Sequence, residues 1–235
     1  MFGELSIIQV FKSSPTMVVL LACSIVTVGF AVERLMYFMS SSVDARRFMN
    51  EVTGHLKNGN PRAALDYCQK HNKPIARVMA QGCANLNRPY DEQVQRLDTA
   101  IELEQVEMER NIGVLGTMAN IAPLLGLFGT VVGIIRAFAD IARTGSGGGA
   151  VVAMGVSEAL LTTAAGIIVA VIATVFFNVF TRRIRSRVAQ LEDAREHWLT
   201  LASQMQRRRQ SQSAKAPAAA APAPAPKPQP EPVGV

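Results

Sequence analysis

Three long apolar blocks decide what this chain can fold into. They run from Thr16 to Met39, from Gly113 to Phe138 and from Val151 to Phe180. Crossing about 30 Å of hydrocarbon at 1.5 Å per residue takes about 20 apolar residues in a helix. Each block is long enough. Nearly all charge lies between or after them, and charged residues make up only 18% of the 235 positions, against 49% hydrophobic. A soluble domain carries about 25% charge. The pattern excludes an ordinary soluble globule and a disordered chain, and it predicts an all-α membrane protein with three transmembrane helices.

The first block is uncharged through Val32 and ends in Glu33-Arg34, a pair expected to snorkel or to pair at the lipid boundary. A removable signal peptide would need a basic start and a small-residue cleavage site. Glu4 and Lys12 cancel and no such site follows, so the span is expected to be retained. Ahead of it, Phe2, Leu5, Ile8, Val10 and Phe11 fit one face of a small interfacial helix within residues 1–15.

Residues 40–111 are polar and read as a helical domain. Asn60-Pro61 is a helix start, with Asn as the cap and Pro in the first turn, and Asn72 to Pro74 ends that helix. A longer helix begins near Asp91, where Val94, Leu97, Ile101 and Met108 form a packing stripe. Glu102, Glu104, Glu107 and Glu109 read as mostly a solvated surface. Nothing punctuates Glu92 to Asn111, so this helix is expected to run straight into the second span, residues 112–139.

The second span holds Pro123, Gly116, Gly126, Gly129 and Gly133. That density would wreck a soluble helix, but in a membrane small residues let helix backbones approach. Gly126, Gly129 and Gly133 are candidate packing or pore-lining positions. Residues 140–151 form a Gly-rich connection. It lacks the Lys-Ser/Thr of a phosphate loop and follows no strand. The third span, 152–181, is followed by a basic helix over 182–210 and an Ala/Pro-rich tail over 211–235 with no capacity to form a core.

The net charge of +6 is local. Segment 33–111 has eleven basic and eleven acidic residues, whereas 182–235 has ten basic and four acidic. No aromatics interleave the arginines after Phe180, so a membrane surface suits them and a nucleic acid does not. The positive-inside rule places segment 40–111 and the C-terminus in the cytoplasm and the N-terminus outside. Cys23, Cys68 and Cys83 have no metal-ligand or disulfide spacing, and His55, His71 and His197 are far apart. We expect no metal, no cofactor and no enzymatic site, since no nucleophile–base pair or nucleotide loop is visible.

Glu158 is the one acidic residue of the third block. A carboxylate roughly 10 Å inside a span costs about 3 kcal/mol or more and normally faces protein or water on an ion path. Ser157, Thr162 and Thr163 stand near it, and Thr130 of the second span is expected near the same depth, so two helices would line one polar seam. Either a proton path or a scaffold in which Glu158 only supports assembly satisfies this pattern.

The stretch Asn120-Ile-Ala-Pro-Leu-Leu-Gly-Leu-Phe-Gly-Thr-Val-Val-Gly-Ile-Ile-Arg-Ala-Phe138, followed by Gly155-Val-Ser-Glu-Ala-Leu-Leu-Thr-Thr-Ala-Ala-Gly166, resembles the MotA/TolQ/ExbB proton-channel family, in particular its TolQ/ExbB branch. The resemblance covers roughly 15–205. It implies a pentameric ring of three-span subunits with long pore-lining helices, built around two copies of an ExbD/TolR-type single-span partner in the bacterial inner membrane. It also implies a motor driven by proton flow, with Glu158 as the pore glutamate and Thr130 and Thr163 as the pore threonines. The family commonly has Pro where Met154 precedes Gly155 here. Losing that Pro is expected to straighten the start of the third span.

Overall fold

The computed structural model describes residues 15–41, 44–144 and 149–215. The expected interfacial face before Pro15, most of the Gly-rich connection and the tail beyond Lys215 lie outside the described residues. Within them are seven helices: α1 Pro15–Ser40, α2 Ala45–Lys57, α3 Pro61–Lys70, α4 Pro74–Ala84, α5 Tyr90–Glu109, α6 Ile112–Thr144 and α7 Gly149–Lys215. Three of them, α1, α6 and α7, are long and apolar enough to cross a membrane.

Local chemistry sets the short helices. The Asp44 carboxylate accepts from the amides of Arg46 and Arg47 and caps α2. Asn60 accepts from the Ala63 amide at 3.2 Å and caps α3. Pro61 and Pro74 occupy first-turn positions, where a missing N–H leaves no gap in the hydrogen-bond ladder. These helices, α5 and the far half of α7 share one extramembrane core, with Val52, Val78, Met79, Leu97 and Trp198 at its centre. An ion pair, Arg195 Nη2 to Asp98 Oδ2 at 2.9 Å, ties α7 to α5. Glu104 departs from the expected acidic surface. It is 8% exposed, and the Arg77 guanidinium donates to both its oxygens at 2.6 and 2.5 Å.

The long helix expected from Asp91 through the second span is broken. α5 ends at Glu109, Arg110 is extended, and Asn111 takes a φ of 65° before α6 starts. Asn tolerates the left-handed region better than most residues because its short side chain can bond locally. Here the Asn111 amide donates to Glu33 Oε2 at 3.3 Å. Arg34, 1% exposed, chelates Glu33 at 3.0 and 2.6 Å, donates to the Glu107 carbonyl at 3.4 Å and lies 4.9 Å from the centre of the Tyr37 ring. The Glu33-Arg34 pair thus holds the end of α1 against the α5–α6 junction.

The third span and the basic helix, expected as two segments, are one helix. α7 continues from Gly149 to Lys215 without interruption and passes Met154 with no break. At 1.5 Å per residue it is about 100 Å long.

Candidate functional site

The α6–α7 hairpin carries every candidate residue, and its glycines explain how the helices meet. A Cβ added at Gly133 would stand 2.9 Å from the Ala159 Cβ, and one at Gly155 would stand 2.6 Å from the Ala137 Cβ. One at Gly166 would meet the Ala122 carbonyl oxygen at 2.6 Å, and one at Gly126 the Thr162 carbonyl oxygen at 3.0 Å. The two backbones therefore touch, in antiparallel register, along about four turns of α6, from Ala122 to Ala137. This is the close approach that small residues permit in membranes. Gly126, Gly129 and Gly133 are packing positions on this contact.

Thr162 is part of the same contact. It is 1% exposed, and its hydroxyl donates to the Ala159 carbonyl at 2.7 Å. A Cβ at Gly129 would sit 2.6 Å from the Thr162 Oγ1 and 3.1 Å from the Thr16 Oγ1. Two hydroxyls, from α1 and α7, thus converge over one glycine of α6. Thr16 was missed by sequence reasoning, since a Thr in the first turn of a span carries no signal of its own. Below this level Met17 and Leu20 of α1 pack with Leu125 and Ala165, and Cys23 packs with Ala122 and Val169. These contacts fix the side of the hairpin that α1 covers.

Helix geometry then divides the polar residues. At 100° per residue, Glu158 lies about 20° from Ala165 and so on the side of α7 that turns toward α1. It is half-buried and stands one turn beyond Thr162, past the start of α1. Thr163 lies about 160° from Ala165, on the far side. Its hydroxyl donates to the Gly126 carbonyl at 3.1 Å. Thr130, also half-buried, donates to the Leu127 carbonyl at 2.6 Å. Ser157 is exposed. The structure brings Thr130 and Thr163 onto one side of the hairpin and sets Glu158 on the other side of α7, at nearly the same level. Among the described residues, no group of three His, Cys, Asp or Glu side chains is placed to hold a metal.

Comparison with known proteins is specific. Residues 70–193, just over half of the chain, match the model of the MotA/TolQ/ExbB proton channel family. The biopolymer transport protein ExbB of Pseudomonas putida is 44% identical over 109 residues, covering 46% of this chain and 33% of the relative. Its Salmonella typhimurium counterpart is 43% identical over 109 residues, covering 46% of this chain and 45% of the relative. The Tol-Pal system protein TolQ of Pseudomonas aeruginosa is 32% identical over 111 residues, covering 47% and 48%. The chain thus spans less than half the length of these curated relatives. The matched segment contains the glycine-packed hairpin, Glu158 and both flanking threonines. On these grounds the chain belongs to the MotA/TolQ/ExbB proton channel family.

Proposed function

We propose that this chain is a stator subunit of a motor in the bacterial inner membrane, driven by the proton-motive force. Protons pass along α6 and α7, with Glu158 as the titratable group and Thr130 and Thr163 lining the path with hydroxyls. The observation that carries this reading is a carboxylate held half-buried in an apolar helix, one turn from the closest packing of α6 on α7. Intramembrane acids are costly and mark ion paths. Several copies of the chain, five by family likeness, form a ring around two copies of an ExbD/TolR-type single-span partner. Lys and Arg counts support a periplasmic N-terminus and a cytoplasmic C-terminus. Its relatives are named for biopolymer transport and for the Tol-Pal system, and the work delivered is of the Ton, Tol or gliding kind that the family resemblance implies.

A non-conducting scaffold is the second reading. The hydrogen bond from Thr163 to Gly126 and the burial of Thr162 favour it, because both hydroxyls serve the hairpin itself. Proton flux into liposomes holding the chain and its single-span partner separates the two. Wild type is compared with Glu158→Gln and with Thr130→Ala/Thr163→Ala, and assembly is checked by particle mass. Intact rings with collapsed flux support the motor. Flux that does not depend on Glu158, Thr130 or Thr163, together with variant rings that fall apart, supports the scaffold.

A further inference from the structure

The path proposed above needs an exit at the end of the hairpin that meets the extramembrane domain, and one face of α7 offers it. Thr163 and Thr181 are 18 residues apart, five full turns, so they share one azimuth about 27 Å apart along the axis. Thr174 and Asn178 lie about 20° and 60° from that line. Both are exposed, on the helix that carries the most apolar of the three candidate spanning stretches. On α6, Asn120 lies on the half of the helix turned away from α1, about 140° from Leu125. It is exposed too. A Cβ at Gly116 would contact the Phe177 ring, and one at Gly166 the Ala122 carbonyl, which sets Asn120 at a level between Gly166 and Phe177 of α7. Asn120 is therefore level with the gap between Thr163 and Thr174, on the part of α6 that turns away from both α1 and the Gly126–Gly133 contact.

The line ends in a groove of about 680 Å³ between α5, α6 and α7. Thr181, Arg185, Glu192, Gln105 and Glu109 are among its lining residues. The Asn120 amide and the Thr174 and Thr181 hydroxyls each donate to a carbonyl one turn back, at 2.9, 2.8 and 2.8 Å, which leaves the Asn178 side chain as the group that lipid would strand and a water-filled lumen would serve at little cost. Carboxylates at its mouth can receive or release protons.

We infer that Asn120, Thr174 and Asn178 line a wetted exit that carries protons from the Thr130–Thr163 level to the Glu109–Arg185–Glu192 groove. The inference rests on the proton-path reading, and its test keeps the two apart. Asn120→Cys, Thr174→Cys and Asn178→Cys are made in the full chain and treated, in native membrane vesicles open on the domain side, with a membrane-impermeant maleimide. Labelling is read site by site by mass. Ile25→Cys, on the outward face of α1 and 65% exposed at that residue, is the lipid-facing control. A thiol reacts as the thiolate, which forms only in water, so the three sites should label on the order of tenfold faster than position 25.

Asn178→Leu should then lower liposome proton flux severalfold, with Asn178→Ser restoring most of it and ring mass unchanged. Labelling no faster than the control overturns the exit. So does fast labelling with Asn178→Leu flux at the wild-type level. If flux also survives Glu158→Gln and Thr130→Ala/Thr163→Ala, the proton-path reading itself fails. If those variants lose flux while positions 120, 174 and 178 stay unlabelled, only the exit is wrong.

Discussion

Gly82 of α4 lies flat against the ring of Trp198 in α7: a Cβ at position 82 would stand 2.7 Å from the ring's Cε2. The ring is fully buried and part of a rigid helix, so it cannot step aside cheaply. Gly82→Ala is expected to destabilise the extramembrane domain by about 1–3 kcal/mol, the usual cost of overpacking. Trp198 is the chain's single tryptophan, so its fluorescence during thermal or denaturant unfolding reads this directly. An unchanged midpoint would show that the contact is loose.

The glycine contact between α6 and α7 makes an internal comparison possible. Gly166→Ala drives a Cβ into the Ala122 carbonyl, whereas Gly29→Ala meets nothing within 4 Å. The first should cost about 1–3 kcal/mol, and the second should be neutral or mildly stabilising through its gain in helix propensity. Unfolding of the detergent-solubilised protein by graded sodium dodecyl sulfate, followed by circular dichroism, separates them.

Thr163 tests the hydrogen bond across the hairpin. Thr163→Val keeps the shape and removes the donor to Gly126, and Thr163→Ser keeps the donor. The valine variant should lose about 0.6–2 kcal/mol, the range seen for interhelical bonds in membranes, and the serine variant less. The same unfolding measurement applies, and equal losses would mean that the methyl group rather than the hydroxyl matters.

Arg34 tests the junction. Arg34→Met strands the Glu33 carboxylate and frees the Glu107 carbonyl, so the clamp on Arg110-Asn111 is lost. The Glu33 side chain is 41% exposed, so the loss is that of charge-assisted hydrogen bonds, about 1.5–3 kcal/mol. Trypsin should then cut after Arg110 much faster than in wild type, and Glu33→Gln/Arg34→Met should recover part of the resistance. Cleavage at the wild-type rate would show that the junction is held by packing alone.

Cys83 should be inert toward alkylation in the folded domain. A hydrogen bond with Cys68, together with burial, pushes its thiol well above the ordinary thiol range. A thiol harder to ionise in the fold than in the unfolded chain costs nothing below the unfolded value of about 8.5, and it removes stability as pH rises past it. Iodoacetamide labelling should therefore stay slow from pH 7 to 9 and accelerate only when denaturant opens the core. Labelling that tracks pH in the folded protein would contradict this environment.

Much of the frame was legible in the residues. Apolar length and the position of charge picked out the three helices that are long and apolar enough to cross a membrane, because hydrocarbon thickness leaves a helix few options. Asn60-Pro61 gave the start of α3, and the stripe of Leu97, Ile101 and Met108 gave the buried side of α5. The break at Arg110-Asn111 was not legible. No Gly or Pro announces it, and it depends on Glu33 and Arg34, which are more than seventy residues away. Glu104 escaped for the same reason, since its partner Arg77 lies on another helix. At the site, a glycine rhythm was enough to find the packing face. The division between Glu158 and Thr163 was obscured by their closeness in sequence, because five residues rotate a side chain by about 140°.

α7 crosses from the hairpin to the domain core as one helix, and that makes it a lever. Glu158 and Trp198 are 40 residues apart on it, about 60 Å along the axis. A tilt of only about 5° around the Glu158 level would carry the Trp198 end sideways by about 5 Å, roughly the rise of one helical turn. α7 has no break along this length, whereas α6 joins α5 through the turn at Asn111. Small angular changes in the membrane would therefore reach the extramembrane core magnified along α7.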